Sequence, residues 1–339
     1  MKNPEPKQEE KDLQQTEEQI QQAETPEAEE QPQKAKMKLP AKKWLRVGLI
    51  VAFVAVFIVS GIYVARYLIN SKKEANKYDD LANLKDNASV TTPRPTITEP
   101  TDSTRPSPTL PNDSSPRPTV PEGGATAPSE PAQPQWVEVV DPETGEVVKM
   151  LPEFQELYAI NNDLVAWIKI PGTDINYPVT HAPDQKDYYL TRNFYKEKSQ
   201  QGCIYIQENC NVEQPTDNVV LYGHRMRDRS MFAQLDKYEK KSFYEENPYI
   251  YFDTLTELHT YQVMAVFVTS AVKDQGFPYH KFVTAVDEEA FNNFVDGCKG
   301  WSLYDTSVDA VYGDKLIILS TCDYTIPEGR LVVVAKRVA

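Results

Sequence analysis

Three kinds of hydrophobic pattern divide the chain. Val47 to Ala65 is a run of 19 residues without a charge, mostly Val, Ile, Ala and Phe, and it shows no amphipathic period. At about 1.5 Å per residue a helix of that length spans roughly the ~30 Å hydrocarbon core of a bilayer. Trp44, Tyr63 and Tyr67 lie near its ends, where amphipathic rings favour the membrane interface. A buried core helix rarely runs this long without a period. The run also begins after 46 residues, and Ser60-Gly61-Ile62 is a poor cleavage signal, so an uncleaved anchor over 47–69 is the reading. Residues 1–33, by contrast, hold almost no apolar positions.

From Trp136 short apolar runs alternate with turn signals. Pro152 opens a helical stripe of Phe154, Leu157, Tyr158 and Ile160. Val165 to Ile170 alternates as a strand and stops at Pro171-Gly172. Further strands are predicted over 175–179, 202–206 and 218–222. Ser230 is placed to cap a short helix through Met231, Phe232, Leu235 and Tyr238. Residues 249–252 and 260–270 read as a hairpin pair, and 287–297 as a helix with Ala290, Phe291, Phe294 and Val295 on one side. Two strong strands, 315–322 and 330–338, close the chain. About eight short strands with two or three inserted helices, and no regular βαβ alternation, predict a mostly β domain: a mixed or mainly antiparallel barrel with helical insertions.

Charge changes the picture by its distribution. The total of 36 Lys+Arg against 50 Asp+Glu gives −14, which argues against nucleic acid as a partner. Residues 1–33 carry a net −7 and are expected to be disordered. Residues 34–46 reverse to +6 through Lys34, Lys36, Lys38, Lys42, Lys43 and Arg46. These outweigh the mixed charges after the apolar run, so the N-terminus is expected in the cytoplasm and everything beyond residue ~70 outside. Residues 71–90 are polar and extend the helix by a few turns. Residues 91–135 contain twelve Pro and fourteen Ser/Thr, the composition of a semi-rigid extended spacer. The expected organisation is a cytoplasmic tail over 1–46, an anchor over 47–69, a stalk over 70–135 and one folded domain over 136–339.

Candidate chemistry is sparse. Four His (His181, His224, His259, His280) and four Cys (Cys203, Cys210, Cys298, Cys322) are present, without HExxH, paired CxxC, a phosphate-binding Gly loop or GxSxG. No metal or cofactor is therefore expected, and Cys/His nucleophilic chemistry remains. Cys322 ends the apolar run Leu316-Ile317-Ile318-Leu319-Ser320-Thr321, and Arg330 starts the next strand after a seven-residue loop, 323–329. If these strands form a hairpin, Cys322 and Arg330 face each other, where a guanidinium favours thiolate and can donate to an oxyanion. His224 sits at another strand exit, after Gly223. Each has an ordinary alternative: a small core hydrophobe, a solvated strand-end charge and a turn residue. Cys203 and Cys298 read as core. A Cys203–Cys210 disulfide stays open, and His181, His259 and His280 read as structural or exposed.

These residues resemble the sortase family, and class B most closely. Leu319-Ser320-Thr321-Cys322 is similar to the family's Thr-Leu-x-Thr-Cys signature, with Ile318 where the first Thr would stand. Arg330 follows eight residues on in a Val-rich strand, and Leu221-Tyr222-Gly223-His224 with Arg225-Met226 is similar to the Gly-His region. Supporting stretches are 161–179, 188–190, 231–235 and 302–306, so the resemblance covers roughly residues 150–339. It implies an eight-stranded sortase-type barrel and a membrane-anchored transpeptidase at the cell wall. Cys322 would attack the Thr carbonyl of a C-terminal sorting motif, often Asn-Pro-x-Thr-like. His224 would handle the amine protons, Arg330 would hold the oxyanion, and Ser320 and Thr321 would contact substrate. The acceptor would be a peptidoglycan amine. Asp323, beside Cys322, would oppose thiolate formation unless it points away. Pilus assembly, a cysteine protease or hydrolase, and a non-catalytic stalked receptor are the alternatives.

Overall fold

The computed structural model describes residues 41–88, 94, 136–272 and 274–339. The acidic tail and, apart from Arg94, the Pro-rich spacer lie outside the described residues. The chain divides into two units, Met1–Val64 and Ala65–Ala339. One helix, α1 (Ala41–Ala88), runs through the boundary. In the first unit its residues 44–64 are exposed, and the helix from Trp44 is long and apolar enough to cross a membrane, with a mean hydropathy of 2.7 over its most apolar window.

In the second unit, the remainder of α1 is polar with two buried anchors, Tyr78 and Leu81. Tyr78 donates to the Gly202 carbonyl at 2.6 Å and meets the Tyr177 ring edge-on, and Lys77 pairs with Glu197 at 2.6 Å. Ser71 also hydrogen-bonds Asp228.

Residues 136–339 then form β1 (Val137–Val140), β2 (Val147–Met150), α2 (Gln155–Ile160), β3 (Leu164–Lys169), β4 (Asn176–Thr180), β5 (Ile204–Ile206), β6 (Asn218–Tyr222), α3 (Lys241–Glu246), β7 (Tyr249–Thr254), β8 (Leu258–Ser270), α4 (Glu288–Trp301), β9 (Leu316–Asp323) and β10 (Gly329–Arg337). β1 and β2 make a separate hairpin. The other eight strands close into a barrel in the order β10-β8-β7-β3-β4-β5-β6-β9, with β9 pairing back onto β10. The β4–β5 and β6–β9 pairs are parallel, and the rest are antiparallel. This is the mixed, mainly antiparallel barrel the apolar pattern predicts.

β9 runs between β6 and β10 and is buried on both faces from Leu316 to Thr321, which explains its unbroken apolar run. α4 buries the stripe Phe291, Phe294, Val295 and Cys298 at helical spacing, and Asp287 caps it by accepting from the Ala290 amide at 2.8 Å. α2 and the 3-10 turn before it bury Phe154, Leu157 and Tyr158, whereas Ile160 faces solvent.

One local expectation is corrected, and one element is new. Ser230 does not cap the helix that follows. Its hydroxyl donates to Asp228, Met231 takes a left-handed φ of 55°, and residues 232–239 wind as a 3-10 helix. The β1–β2 hairpin has no counterpart in the elements predicted from the sequence.

Candidate active site

Strand register assembles the site. Across the β9–β10 hairpin, Arg330 lies directly opposite Cys322 and Gly329 opposite Asp323. Directly opposed residues of an antiparallel pair put their side chains on the same face. The connecting loop is 324–328, two residues shorter than the sequence pattern predicts, because each strand extends one residue further. Gly329 is needed there, since a Cβ would stand 2.5 Å from the Asp323 carbonyl oxygen.

On its other edge β9 pairs with β6 in parallel, ending at Tyr222 opposite Ser320. The ladder continues through Gly223, whose amide donates to the Ser320 carbonyl at 3.2 Å and whose carbonyl accepts the Thr321 hydroxyl at 2.8 Å. Continued by one step, that register brings the backbone of His224 level with Cys322. Gly223 has no room for a side chain: a Cβ would stand 2.5 Å from Ile204 Cδ1 and 2.7 Å from the Phe232 ring. The three residues read from sequence as catalytic candidates therefore lie at one mouth of the barrel, all partly exposed.

His224 Nε2 lies 2.7 Å from the Leu190 carbonyl oxygen. A carbonyl only accepts, so Nε2 carries the proton in this contact, and Nδ1 has no partner among the described residues. The Arg330 guanidinium donates to the carbonyls of Gly329 at 2.8 Å and Glu328 at 3.3 Å, so it lies along the hairpin loop. Ser320 shares the face of Cys322, two residues before it, and its hydroxyl meets the Tyr279 hydroxyl at 2.7 Å. Thr321 points the other way and ties β9 to Gly223. Both are buried.

Asp323 points away from the thiol. Its side chain is 1% exposed and pairs through Oδ2 with Arg225 Nη1 at 2.9 Å, while Oδ1 accepts the Thr325 amide at 2.9 Å and the Thr325 hydroxyl. Burial works against its ionisation, but the Thr325 hydrogen bonds and Arg225 prevail and hold its pKa below the usual carboxylate value. Arg225 reaches on to Asp236 at 3.3 Å, and Asp236 is held by Arg229. Nothing in the sequence spacing signals this network, because its members come from separate elements.

The remaining thiols and imidazoles lie elsewhere. All four cysteines are free, which leaves Cys203 and Cys210 unbonded, and Cys203, Cys210 and Cys298 are buried. Burial pushes the thiols of Cys203 up to about 12 and Cys210 up to about 11, and raises Cys298 further. Burial also lowers His181, His259 and His280. A cavity of about 430 Å³ opens at the opposite end of the barrel, lined by Phe252, His259, Tyr261 and Arg337 among others, and takes no part in this site. No cluster of three or more His, Cys, Asp or Glu among the described residues is arranged to hold a metal ion.

The sequence pattern described as the sortase domain matches residues 168–338, half of the chain. This chain belongs to the sortase family. Sortases are cysteine transpeptidases, and so is this protein. Among curated relatives, sortase B of Staphylococcus aureus is 35% identical over 187 residues, covering 55% of this chain and 74% of that protein. Sortase B of Listeria monocytogenes is 32% identical over 188 residues, with the same coverage of 55% and 74%. Among solved structures, a Staphylococcus aureus sortase B–substrate complex aligns with a TM-score of 0.51 at 32% identity, over 56% of this chain and 85% of that one. A mutant form of Clostridium perfringens sortase B aligns with a TM-score of 0.51 at 31% identity, over 55% and 86%. The sortase is thus of the class B type that its motifs resemble, on an eight-stranded barrel.

Proposed function

We propose that this sortase cleaves a C-terminal sorting motif after Thr and transfers the acyl group to a peptidoglycan amine, with Cys322, His224 and Arg330 as its catalytic residues. The observation that carries this reading is the shared level of the three at one barrel mouth, set by the β6–β9 and β9–β10 registers.

Cys322 Sγ, as thiolate, attacks the Thr carbonyl carbon. The oxygen takes the negative charge, and the Arg330 guanidinium, re-aimed from the Gly329 and Glu328 carbonyls, donates to it. Collapse breaks the C–N bond, and the imidazolium of His224 gives the departing amine its proton. The acceptor amine then attacks the thioester carbonyl, the C–S bond breaks to return the thiolate, and the amine's proton passes to His224. The covalent intermediate divides one hard exchange into two easier ones. Ser320, on the Cys322 face, is assigned to the floor of the peptide site together with Tyr279. Thr321 supports the same site through Gly223.

A substrate complex exists for Staphylococcus aureus sortase B, which supports peptide binding at the corresponding mouth here. The basic run from Lys34 to Arg46 supports an anchor with its N-terminus cytoplasmic and the barrel outside at the cell wall. The spacer is the Pro-rich stretch 91–135 rather than all of 70–135, because Tyr78 and Leu81 dock the end of α1 on the folded unit. The test is to incubate the full chain in detergent with sorting-motif peptides and amine acceptors, and to read products by mass spectrometry. Transfer product that disappears in Cys322→Ala is expected. Product ending at Thr despite excess amine would make the enzyme a hydrolase, and turnover that survives Cys322→Ala would overturn the site.

A further inference from the structure

The residues that follow His224 and Cys322 are paired with each other. Arg225 comes one step after His224 at the exit of β6, and Asp323 one step after Cys322 at the end of β9. Their side chains meet at 2.9 Å. Because β6 and β9 run parallel, this contact is the next rung of the ladder that Tyr222–Ser320, Gly223–Ser320 and Gly223–Thr321 begin. Backbone pairing ends at Gly223, so a salt bridge takes over where hydrogen bonds stop.

We infer that Arg225 and Asp323 form a positioning pair, holding His224 level with Cys322 and cancelling the carboxylate charge beside the nucleophile. The inference rests on reading Cys322 as the nucleophile. The geometry separates it from an ordinary surface ion pair. Asp323 is 1% exposed and Arg225 22%, so the pair is shielded from solvent on the carboxylate side. Arg225 is itself braced by Asp236, which Arg229 holds through a second nitrogen–oxygen pair at 2.8 Å. The Arg225 guanidinium carbon also stands 5.8 Å from the Tyr324 ring, and the Tyr324 hydroxyl contacts the Arg225 carbonyl, so the residue after the pair closes over it. The acid therefore serves the site without touching the imidazole. Its two oxygens are taken by Arg225 and Thr325.

The charged and titratable groups around Cys322 come from every neighbouring element. They are Arg330 from β10, Glu328 from the loop, His224 and Arg225 after β6, Asp236 and Glu239 from the 3-10 helix 232–239, and Tyr279 from the loop before α4. With Arg225 removed, Asp323 becomes an uncompensated anion one residue from the thiol, faced by the Arg330 guanidinium across the hairpin. A like charge at that range disfavours the thiolate, by about one pH unit or more.

The experiment uses the full chain in detergent and four variants: Arg225→Ala, Arg225→Lys, Asp323→Asn and the double Arg225→Ala/Asp323→Asn. The readouts are the pH midpoint of Cys322 alkylation, kcat and KM for transfer, and the thermal midpoint. Arg225→Ala is expected to raise the alkylation midpoint by about one unit. It should also lower kcat about tenfold with little change in KM. Arg225→Lys should recover most of the loss, and the double variant should return the alkylation midpoint because no unpaired anion is left. An Arg225→Ala protein that loses thermal stability but keeps the alkylation midpoint and kcat overturns the inference, as does a double variant whose midpoint stays raised. Alkylation does not depend on peptide turnover. A wild-type protein that alkylates at Cys322 but forms no acyl-enzyme refutes the proposed function and leaves the pair measurable.

Discussion

At the residue scale the four cysteines separate by burial. Cys203 and Cys210 are held as thiols up to about 12 and about 11, and Cys298 higher, while Cys322 is the one that reaches solvent. In the folded protein near neutral pH, iodoacetamide should modify Cys322 on the order of a hundredfold faster than the other three, read by peptide mapping. Comparable rates would mean that the mouth of the barrel is closed. Arg330 presents a planar fork that lysine cannot reproduce, so Arg330→Lys should lower kcat/KM by roughly 10²–10³. Retention of full activity would remove the oxyanion role. Cys322 and Arg330 were legible in sequence because a hairpin's register follows from the lengths of two apolar runs and their loop. The pairing of Arg225 with Asp323 was not, because 98 positions separate them and only the three-dimensional pairing of β6 with β9 joins them. The question of how a carboxylate could sit beside a nucleophile was already visible in the sequence, and the salt bridge answers it.

At the element scale the strand exits are what the fold supplies to chemistry. β6 can bring His224 to Cys322 only if the chain passes Ile204 and Phe232 without a side chain at 223. Gly223→Ala forces those neighbours apart and should cost about 1–3 kcal/mol of stability. Its effect on kcat/KM should exceed that cost, since the displaced residue is next to the imidazole, and unchanged kinetics with lowered stability would detach Gly223 from the site. The long strands β8, β9 and β10 and the helix α4 were readable because their apolar periods are unambiguous. The short β1–β2 hairpin was missed because four residues are too few to set a period. Ser230 misled because a helix cap depends on backbone geometry, and the left-handed φ at Met231 turned its hydroxyl toward Asp228 instead.

At the scale of the whole molecule, burial and pairing shift the titration of several groups, which couples stability to pH. His181 and His259 are lowered by burial, so the unfolded chain binds protons that the folded chain resists. Their stabilising contribution is complete above about pH 6.5 and is lost as pH falls through that value toward their folded values. Asp323 is lowered as well, and its contribution is present above the ordinary carboxylate range of about 3.9 and lost as pH falls through its depressed value. The thermal midpoint should therefore decline in two stages on acidification, and Asp323→Asn should make the lower stage, which Asp141, Asp228 and Asp236 share, shallower. A single decline unaffected by that variant would contradict the assignment. The reversal of charge sign between residues 33 and 34 supports the membrane orientation proposed above. The central claim is a thioester on one cysteine, and the sequence makes it directly readable. Tryptic cleavage after Lys315 and Arg330 releases Leu316–Arg330 with Cys322 as its one cysteine. The full chain mixed with a sorting-motif peptide and quenched in acid should yield this fragment heavier by the acyl portion ending at Thr, and added amine should discharge it. An unmodified fragment alongside peptide turnover, or an acyl group on any other residue, would contradict the mechanism.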